Sequence, residues 1–307
     1  MRQINPARAV ADPAPSSVEQ ARAALLAEAL PLARTETLEL GHCLGRVLSR
    51  DLGSPLDVPG FDNSAMDGYA LAQPPEEPER RRFPVTQHVA AGGIAEPLAP
   101  GCAARILTGA PVPPGTTAVV RQEDVRPEPG WIQLTELPAP GDNIRARGHD
   151  VARGGQVLEA GQRLGPQHIA LAAAVGLDRL PLFGRLRVGT FFTGDELVEP
   201  GQALRPGQIH NSNRYAVTSL LAGLGCEIRD AGNVPDRLDA TCQVLSSLAE
   251  DCDLILTTGG VSVGDADHVK PAVERLGQLA LWRVAMRPGK PVAFGRVGEA
   301  LFLGLPG

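Results

Sequence analysis

The sequence predicts an α/β protein in which a doubly wound, mostly parallel sheet domain follows a β-rich region. A chain of 307 residues is long enough for about two domains with large cores. Between about residues 51 and 150, short β-prone stretches alternate with proline and glycine turns, which is typical of a β-rich subdomain. From about Arg185, strand and helix patterns alternate, which indicates a three-layer fold with a buried sheet. We therefore expect an N-terminal region over 1–180 and an α/β domain over 181–307.

The first element is a predicted helix over residues 17–30. Ser16 and Glu19 have the spacing of a capping box. Apolar residues then recur at helical intervals: Val18, Ala21, Leu25, Leu26 and Ala29. The β-rich region follows with the candidate strands FPVTQHVA, ARILTG, TAVVRQ and WIQLTEL. Between Gly161 and Gly176, IALAAAVG predicts a short apolar helix that ends at glycine.

The α/β domain is predicted to begin with the strand RLRVGTFF. One apolar face is expected on the helix that follows: Val217, Leu220, Leu221 and Leu224. Gly225 ends that helix, and after the strand CEIRDAG, Asp236 is a candidate N-cap for the next one. DLILTT, the helix HVKPAVERLG, and the strands LALWRVA, KPVAFGRV and EALFLGLPG complete the pattern. Because a doubly wound domain normally continues into another helix, we expect the chain to be a fragment that stops within this domain.

Composition argues against several classes of protein. The formal net charge is −6 and no long basic run is present, so nucleic acid is not the expected partner. The five cysteines are odd in number and include no CxxC pair, which argues against a disulfide framework or a zinc site. No apolar stretch approaches the roughly 18 residues of a membrane span, and the first 20 residues lack a signal-peptide core. We expect a reduced, cytoplasmic, acidic protein that does not bind a membrane.

The stretch TTGGVSVGDAD, residues 257–267, combines a glycine turn with carboxylates directly after a strand. Gly259 and Gly260 allow backbone N–H groups to meet an anion, and Ser262 adds a hydroxyl donor. The plainer interpretation is a tight turn in which an aspartate such as Asp267 caps the next helix. The loop nevertheless follows the carboxyl end of a strand, where doubly wound sheets bind ligands.

A second pair of carboxylates ends the earlier strand in FFTGDELVEPG. Asp195 and Glu196 are expected at the same edge of the sheet as Asp267. Carboxylates gathered at one edge repel each other unless a cation lies among them or they bind substrate hydroxyl or amine groups. Mg²⁺ binds one or two carboxylates together with ligand phosphates, so it reconciles a phosphate-binding loop with nearby acids.

Basic residues suited to phosphate lie in LWRVAMRPGKP. Arg283 and Arg287 share one face if this stretch is a strand, and Lys290 follows three residues later. Guanidinium groups suit phosphate or oxyanion recognition, although a solvated strand face is the alternative.

The β-rich region contributes a third set of polar residues. PGFDNSAMDGYA contains more polar turn residues than a turn needs, Asp67 among them. Thr108 in ILTGAPVPPG and Asp150 in NIRARGHD each lie at a glycine turn. No Ser–His–Asp or Cys–His arrangement stands out in the sequence.

Six stretches in this order resemble the MoeA family, the molybdopterin molybdenumtransferases, whose eukaryotic relative is the E domain of gephyrin: PGFDNSAMDGYA, RILTGAPVPPGTTAVVRQED, NIRARGHD, TGDELVEPG, TTGGVSVGDADHVK and RPGKPVAFG. The resemblance extends from about residue 17 to 307. It implies insertion of molybdate into adenylylated molybdopterin with release of AMP, a requirement for Mg²⁺, and molybdopterin adenylyltransferase as a partner. It also implies a homodimer whose active cleft lies between the α/β domain of one subunit and the β-rich domain, carried on an elongated linker domain, of the other.

The resemblance further implies residue roles. The catalytic residues are Glu196, Asp236, Asp267, Asp67, Thr108 and Asp150. The ligand-binding residues are Gly259, Gly260, Ser262, Arg283, Arg287 and Lys290. The metal ligands are Asp236 and Asp267. His149 stands where the family usually has glutamate, and lysine is common in place of both arginines. The family continues beyond LPG into a C-terminal β-barrel, which we expect this chain to lack.

Three alternatives stay open at this point. The adenylyltransferase of the same pathway shares the α/β domain but lacks the β-rich region, so FDNSAMDGYA disfavours it. A scaffold of the gephyrin type clusters its targets through a C-terminal part that is missing from this sequence. A truncated family member that folds without turnover is the third.

Overall fold

The structure, a computed structural model, describes residues 17–74, 76–261, 267–285 and 291–307, with the backbone alone for 280–283 and 291. Contacts divide the described chain into two compact units. Residues 37–182 form the β-rich unit, and residues 17–36 with 183–307 form the α/β unit. The predicted α/β fold class is confirmed. The division at residue 180 stays a prediction.

The elements are numbered along the chain. The helices are α1 (Val18–Glu28), α2 (Pro166–Ala174), α3 (Ser212–Gly223), α4 (Leu238–Asp251) and α5 (Val269–Leu276), with 3-10 turns at Leu40–His42 and Gln122–Asp124. The strands as far as residue 183 are β1 (Thr35–Glu39), β2 (Leu52–Gly53), β3 (Asn63–Ser64), β4 (Gly68–Leu71), β5 (Arg82–Val89), β6 (Ala103–Ile106), β7 (Ala118–Arg121), β8 (Val125–Glu128), β9 (Trp131–Leu134), β10 (Ile144–Arg145), β11 (Gln156–Leu158) and β12 (Arg179–Phe183). The later strands are β13 (Arg187–Thr193), β14 (Leu197–Val198), β15 (Ile209–His210), β16 (Glu227–Val234), β17 (Leu254–Thr258), β18 (Gly277–Arg283), β19 (Pro291–Val297) and β20 (Ala300–Leu305).

The α/β unit is built on one six-stranded sheet in the order β16-β13-β17-β20-β19-β18. The pairings from β16 to β20 are parallel, and β19 is antiparallel to both of its neighbours. Helices α4 and α5 cover one face, where Leu248 and Val273 pack around Phe191. Helix α3 covers the other face through Leu221 and Val188. This is the predicted three-layer, mostly parallel arrangement.

The β-rich unit contains a second six-stranded sheet, in the order β7-β4-β6-β5-β9-β8. All four predicted strand stretches of this region form strands, and IALAAA of the predicted short helix lies in α2, which ends before Gly176 as predicted. Gly68 opens β4, and a side chain there would overlap the Val120 carbonyl oxygen of the neighbouring strand. The residue directly before it, Asp67, is therefore held at the edge of a tightly paired ladder.

The start of α1 differs from the prediction by one residue. Ser17 is the N-cap: its hydroxyl accepts the Gln20 N–H, and the Gln20 side-chain oxygen accepts the Ser17 N–H. Ser16, the predicted cap residue, lies outside the described residues, and the structure gives the capping box to Ser17 and Gln20. A glutamine amide satisfies the cap as well as a glutamate, and the Glu19 carboxylate accepts the Ser17 hydroxyl instead. The helix ends at Glu28, two residues earlier than predicted.

Two predictions about the later helices are also corrected. Gly225 follows α3 with φ +84° as expected, but Leu220 and Leu224 of the predicted apolar face are 66% and 56% exposed. Fewer residues of this helix are buried against the sheet than the sequence pattern indicated. Helix α4 begins after Arg237 as N-cap, so Asp236 is not its cap. Helix α5 likewise has His268 at its N-cap position with no side-chain cap bond.

Candidate active site

The carboxyl ends of β13 and β17 meet at one edge of the α/β sheet because the two strands are parallel neighbours. The Gly259–Gly260 turn follows β17 with φ of +87° and +64°. A Cβ on Gly259 would lie 2.7 Å from the Thr193 carbonyl oxygen, and one on Gly260 would lie 2.6 Å from the Thr193 hydroxyl. Glycine is therefore required both for the backbone angles and for the close approach of the turn to β13.

Two buried hydroxyls lie on the ends of these strands. Among the described residues, Thr193 and Thr257 each have a buried side-chain oxygen without a hydrogen-bond partner. Buried hydroxyls in native proteins usually have a partner, so these two are free to serve a bound ligand or water. Sequence reasoning missed both, because a threonine near the end of a buried strand is indistinguishable from an ordinary β-former.

Carboxylates gather at this same edge, after β13 and β16. The Asp195 N–H donates to Asp236 Oδ2 and the Asp236 N–H donates to Asp195 Oδ1, both over 3.3 Å. Burial raises the pKa of Asp236, and the negative charges of Asp195 and Glu196 raise it further, while His268 opposes the shift. The structure thus brings the side chains of Asp195, Glu196 and Asp236 together. The sequence analysis expected Asp195 and Glu196 beside Asp267 and took Asp236 for a helix cap.

Asp267 and His268 lie directly before α5. The charge of His268 lowers the pKa of Asp236, which places this segment near the same edge of the sheet. Asp267 is half-buried. The predicted residues Ser262, Arg287 and Lys290 lie outside the described residues, and only the backbone of Arg283 is described, at the end of β18. Within the described ranges, no group of three or more His, Cys, Asp or Glu side chains could hold a metal ion.

In the β-rich unit, the structure brings Asp67 and Thr108 together. The Thr108 N–H and hydroxyl both donate to Asp67 Oδ1 over 2.7 Å, and these two bonds lower the pKa of Asp67. Arg105 fixes the adjoining backbone, because its guanidinium donates to the Gly68 carbonyl over 2.7 Å and lies over the Tyr69 ring. The sequence did not point to Arg105, because an arginine within a β-prone stretch has no pattern that distinguishes it from a solvated strand residue.

Asp150 lies in the turn after β10, where its N–H donates to the Val58 carbonyl. This turn is held by Asp57, which accepts the Arg147 Nε–H and the Arg153 N–H over 2.7 Å each. The Arg153 N–H and then Arg147 lower the pKa of Asp57. Asp57 was missed, although its position between two prolines in SPLDVPG marks it as part of the same polar loop.

Fold and site define a protein with a β-rich unit and an α/β unit whose sheet edge carries a glycine turn, buried hydroxyls without a partner and three carboxylates. Residues 16–176 match the family described as MoeA N-terminal region (domain I and II), and residues 189–307 match the probable molybdopterin binding domain. The chain is 42% identical over 293 residues to a molybdopterin molybdenumtransferase of Haemophilus influenzae, covering 95% of this chain and 72% of the relative. It is 43% identical over 303 residues to that of Synechococcus elongatus, covering 92% and 73%. The chain therefore belongs to the MoeA family of molybdopterin molybdenumtransferases, which are transferases of molybdenum cofactor biosynthesis.

Solved structures agree with this family. The molybdopterin biosynthesis MoeA protein of Pyrococcus horikoshii superposes with a TM-score of 0.82 at 29% sequence identity, covering 95% of this chain and 74% of that protein. None of the described helices has the length and apolar character needed to cross a membrane.

Proposed function

We propose that this chain inserts molybdate into adenylylated molybdopterin with release of AMP. The observation that carries the proposal is the meeting of Asp195, Glu196 and Asp236 beside the Gly259–Gly260 turn. A ligand that joins phosphates to ribose hydroxyls and pterin N–H groups can use both the N–H groups of the turn and the acids.

The α/β unit supplies most of the proposed chemistry. AMP is released when a water oxygen attacks phosphorus, the phosphoanhydride bond breaks, and a nearby carboxylate accepts the proton of that water. Glu196, Asp236 and Asp267 are the proposed catalytic carboxylates. The proposed binding residues for the phosphates and the pterin are Gly259, Gly260, Ser262, Arg283, Arg287 and Lys290.

The β-rich unit supplies the proposed residues Asp67, Thr108 and Asp150. Asp67 keeps its charge because Thr108 stabilises the ionised carboxylate with two donors. A fixed, ionised acceptor suits an amine or hydroxyl of the substrate.

Asp236 and Asp267 are the proposed ligands of Mg²⁺. The donor chemistry fits, because carboxylate oxygens are what Mg²⁺ binds and one or two of them suffice when phosphates supply the rest. Burial, and after it the charges of Asp195 and Glu196, raise the pKa of Asp236, so its ionised form is disfavoured and a bound cation would stabilise it. When bound, Mg²⁺ would neutralise phosphate charge and so favour the departure of AMP.

The test is AMP release from adenylylated molybdopterin with Mg²⁺ and micromolar molybdate. Parent chain, Asp267→Ala and the remote control Asp251→Ala are compared, since Asp251 pairs with Arg229 at an exposed site. We expect AMP from the parent and the control, and a loss of roughly a hundredfold or more in Asp267→Ala. A folded parent without AMP release, or an unaffected Asp267→Ala, contradicts the proposal.

A homodimer, molybdopterin adenylyltransferase as the partner that supplies the adenylylated substrate, and a cytoplasmic location belong to the same proposal. The family resemblance supports the first two. Free thiols, including buried Cys43 and Cys252, support a reducing compartment. Light scattering of the purified chain, and its co-elution with the adenylyltransferase, test the first two directly.

A further inference from the structure

The loop of residues 194–210 carries Asp195 and Glu196 and links β13 to α3. Its backbone bonds join residues of the loop to one another or to Asn211 at the start of α3. The donors and acceptors are Leu197 to Gly194, Gln202 to Glu199, Gln208 to Arg205, Ile209 to Glu196 and Asn211 to Val198. Within the described part of the chain, the two-residue strands β14 and β15 pair with each other and not with the six-stranded sheet. The loop is tied to the end of β16 through Asp195 and Asp236, and side-chain bonds to α3 add a second attachment.

Arg214, in the first turn of α3, provides this second attachment. Its Nη1 donates to Glu199 Oε1 and its Nε donates to Asp230 Oδ2, each over 2.7 Å. The Tyr215 hydroxyl donates to the second carboxylate oxygen of Glu199 over 3.0 Å. Both oxygens of Glu199 are therefore bound by consecutive residues of one helix.

Asp230, the second carboxylate that Arg214 contacts, is held in place by the sheet. Asp230 lies on β16 opposite Thr190, and its Oδ1 accepts the Thr190 hydroxyl and the Gly232 N–H. The side chains of Arg214, Glu199 and Asp230 are 27%, 30% and 25% exposed. Partial burial makes such ion pairs less subject to solvent screening than surface pairs.

We propose that Arg214 is a positioning residue for Glu196, acting through Glu199. This inference rests on the proposed function, in which Glu196 is a catalytic carboxylate. Only Leu197 and Val198 separate the two glutamates, and both belong to β14. Any shift of Glu199 is thus transmitted along an extended backbone to Glu196. The bond from Arg214 to Asp230 joins α3 to β16, whereas the bond from Arg214 to Glu199 joins α3 to the loop.

The test uses Arg214→Gln, Glu199→Gln and the double variant in the full chain. Arg229→Gln is the matched control: Arg229 lies on β16, next to Asp230, and makes an ion pair to Asp251, away from the loop. Two readouts are taken: hydrogen exchange of the loop amides, and AMP release with kcat separated from KM. Thermal unfolding confirms that each variant is folded.

We expect Arg214→Gln to speed exchange of the Ile209 and Leu197 amides by roughly tenfold or more, and to lower kcat by roughly tenfold to a hundredfold with little change in KM. Glu199→Gln should also speed exchange of these amides and lower kcat, but by less than Arg214→Gln. The double variant should resemble Arg214→Gln, because the ion pair between Arg214 and Glu199 is already lost when Arg214 alone is replaced. The control should match the parent.

Unchanged exchange in the loop with parental kcat in a folded Arg214→Gln overturns the proposal. Equal losses in Arg214→Gln and Arg229→Gln also overturn it, because they would indicate general loss of stability. If the parent releases no AMP, the proposed function fails while the exchange data still decide whether Arg214 fixes the loop. If Arg214→Gln does not fold, Glu199→Gln decides in its place by the same two readouts.

Discussion

Thr108 donates its backbone N–H and its hydroxyl to a single oxygen, Oδ1, of Asp67, each over 2.7 Å. The backbone bond is the main cause of the lowered Asp67 pKa and the hydroxyl bond is the second. Thr108→Val removes the hydroxyl donor with little change of shape, so the pKa of Asp67 should rise toward its ordinary value without reaching it. AMP release should fall roughly tenfold. Thr108→Ser keeps the hydroxyl and should behave like the parent.

The measurement is a carboxyl titration followed by NMR, together with the rate of AMP release. An Asp67 carboxyl that titrates identically in the valine and serine variants would show that the hydroxyl bond does not form in solution. Loss of activity in the serine variant alone would instead indicate that the threonine methyl group, which valine keeps and serine lacks, is the important contact.

Asp236→Asn should stabilise the chain and inactivate it. A carboxyl whose folded pKa is raised above the ordinary 3.8 gives stability that is full below 3.8 and lost as pH rises through the folded value. At neutral pH the ionised Asp236 is therefore a cost to the fold. The asparagine keeps an acceptor for the Asp195 N–H and removes the charge. Without Mg²⁺, we expect Tm to rise by about 1–4 °C at pH 7, with the difference shrinking toward acid.

Thermal unfolding between pH 4 and 8, with and without Mg²⁺, checks this prediction together with AMP release. The parent should gain Tm on addition of Mg²⁺ and Asp236→Asn should not. A variant that is less stable than the parent at pH 7 would mean that the carboxylate is already compensated by neighbours in solution.

The sequence predicted the strand and helix order well because buried strands and amphipathic helices have clear periods. Its errors have local causes. Ser16 and Ser17 both fit the cap pattern, and only the Gln20 amide distinguishes them. Aspartate is a common N-cap residue, but the Asp236 carboxylate accepts the N–H of Asp195 instead of capping α4.

Some residues of the candidate site could likewise be predicted from the sequence, and others could not. Residues at strand ends, such as Glu196, could be placed from topology alone, because parallel strands finish at one edge. Arg214 and Asp57 could not, because each acts on a residue that is distant in sequence: Arg214 on Asp230 of β16, and Asp57 on Arg147. Such contacts depend on the packed fold and leave no local pattern.

Gly260→Ala should destabilise the α/β unit more than an ordinary glycine replacement does. Its φ of +64° and a Cβ only 2.6 Å from the Thr193 hydroxyl and 2.7 Å from Val269 Cγ2 combine strain with overlap. We expect a loss of about 3 kcal/mol or more in the free energy of unfolding. Gly225→Ala is the control, since its φ of +84° carries the same strain while the nearest atom is 3.9 Å away. About 1–2 kcal/mol is expected there.

Urea unfolding of both variants gives the comparison. Equal losses would mean that the turn relaxes away from β13 without cost, and that its close approach to Thr193 is not needed. A difference of the expected size would establish that the glycine pair is fixed by packing at the very edge where the ligand is proposed to bind.

Asp57→Asn should weaken both the fold and the reaction through the turn that carries Asp150. Asp57 accepts the Arg153 N–H and the Arg147 Nε–H, and these bonds hold its pKa below 3.8. A lowered folded pKa gives stability that is present above 3.8 and lost as pH falls through the folded value. The variant should therefore be less stable than the parent from pH 7 down to about 4, and the gap should close at lower pH.

The control for this prediction is Asp239→Asn. Arg237 lowers the pKa of Asp239 to about 2, but that pair is exposed and joins residues two apart, so it should add little to stability. Urea unfolding at pH 7 and pH 3.5, with AMP release at pH 7, separates the two sites. If Asp239→Asn loses as much stability as Asp57→Asn, charge alone accounts for the effect. If only Asp57→Asn loses stability and activity, the carboxylate acts by tying the Arg147–Arg153 turn to the loop that leads to Asp67.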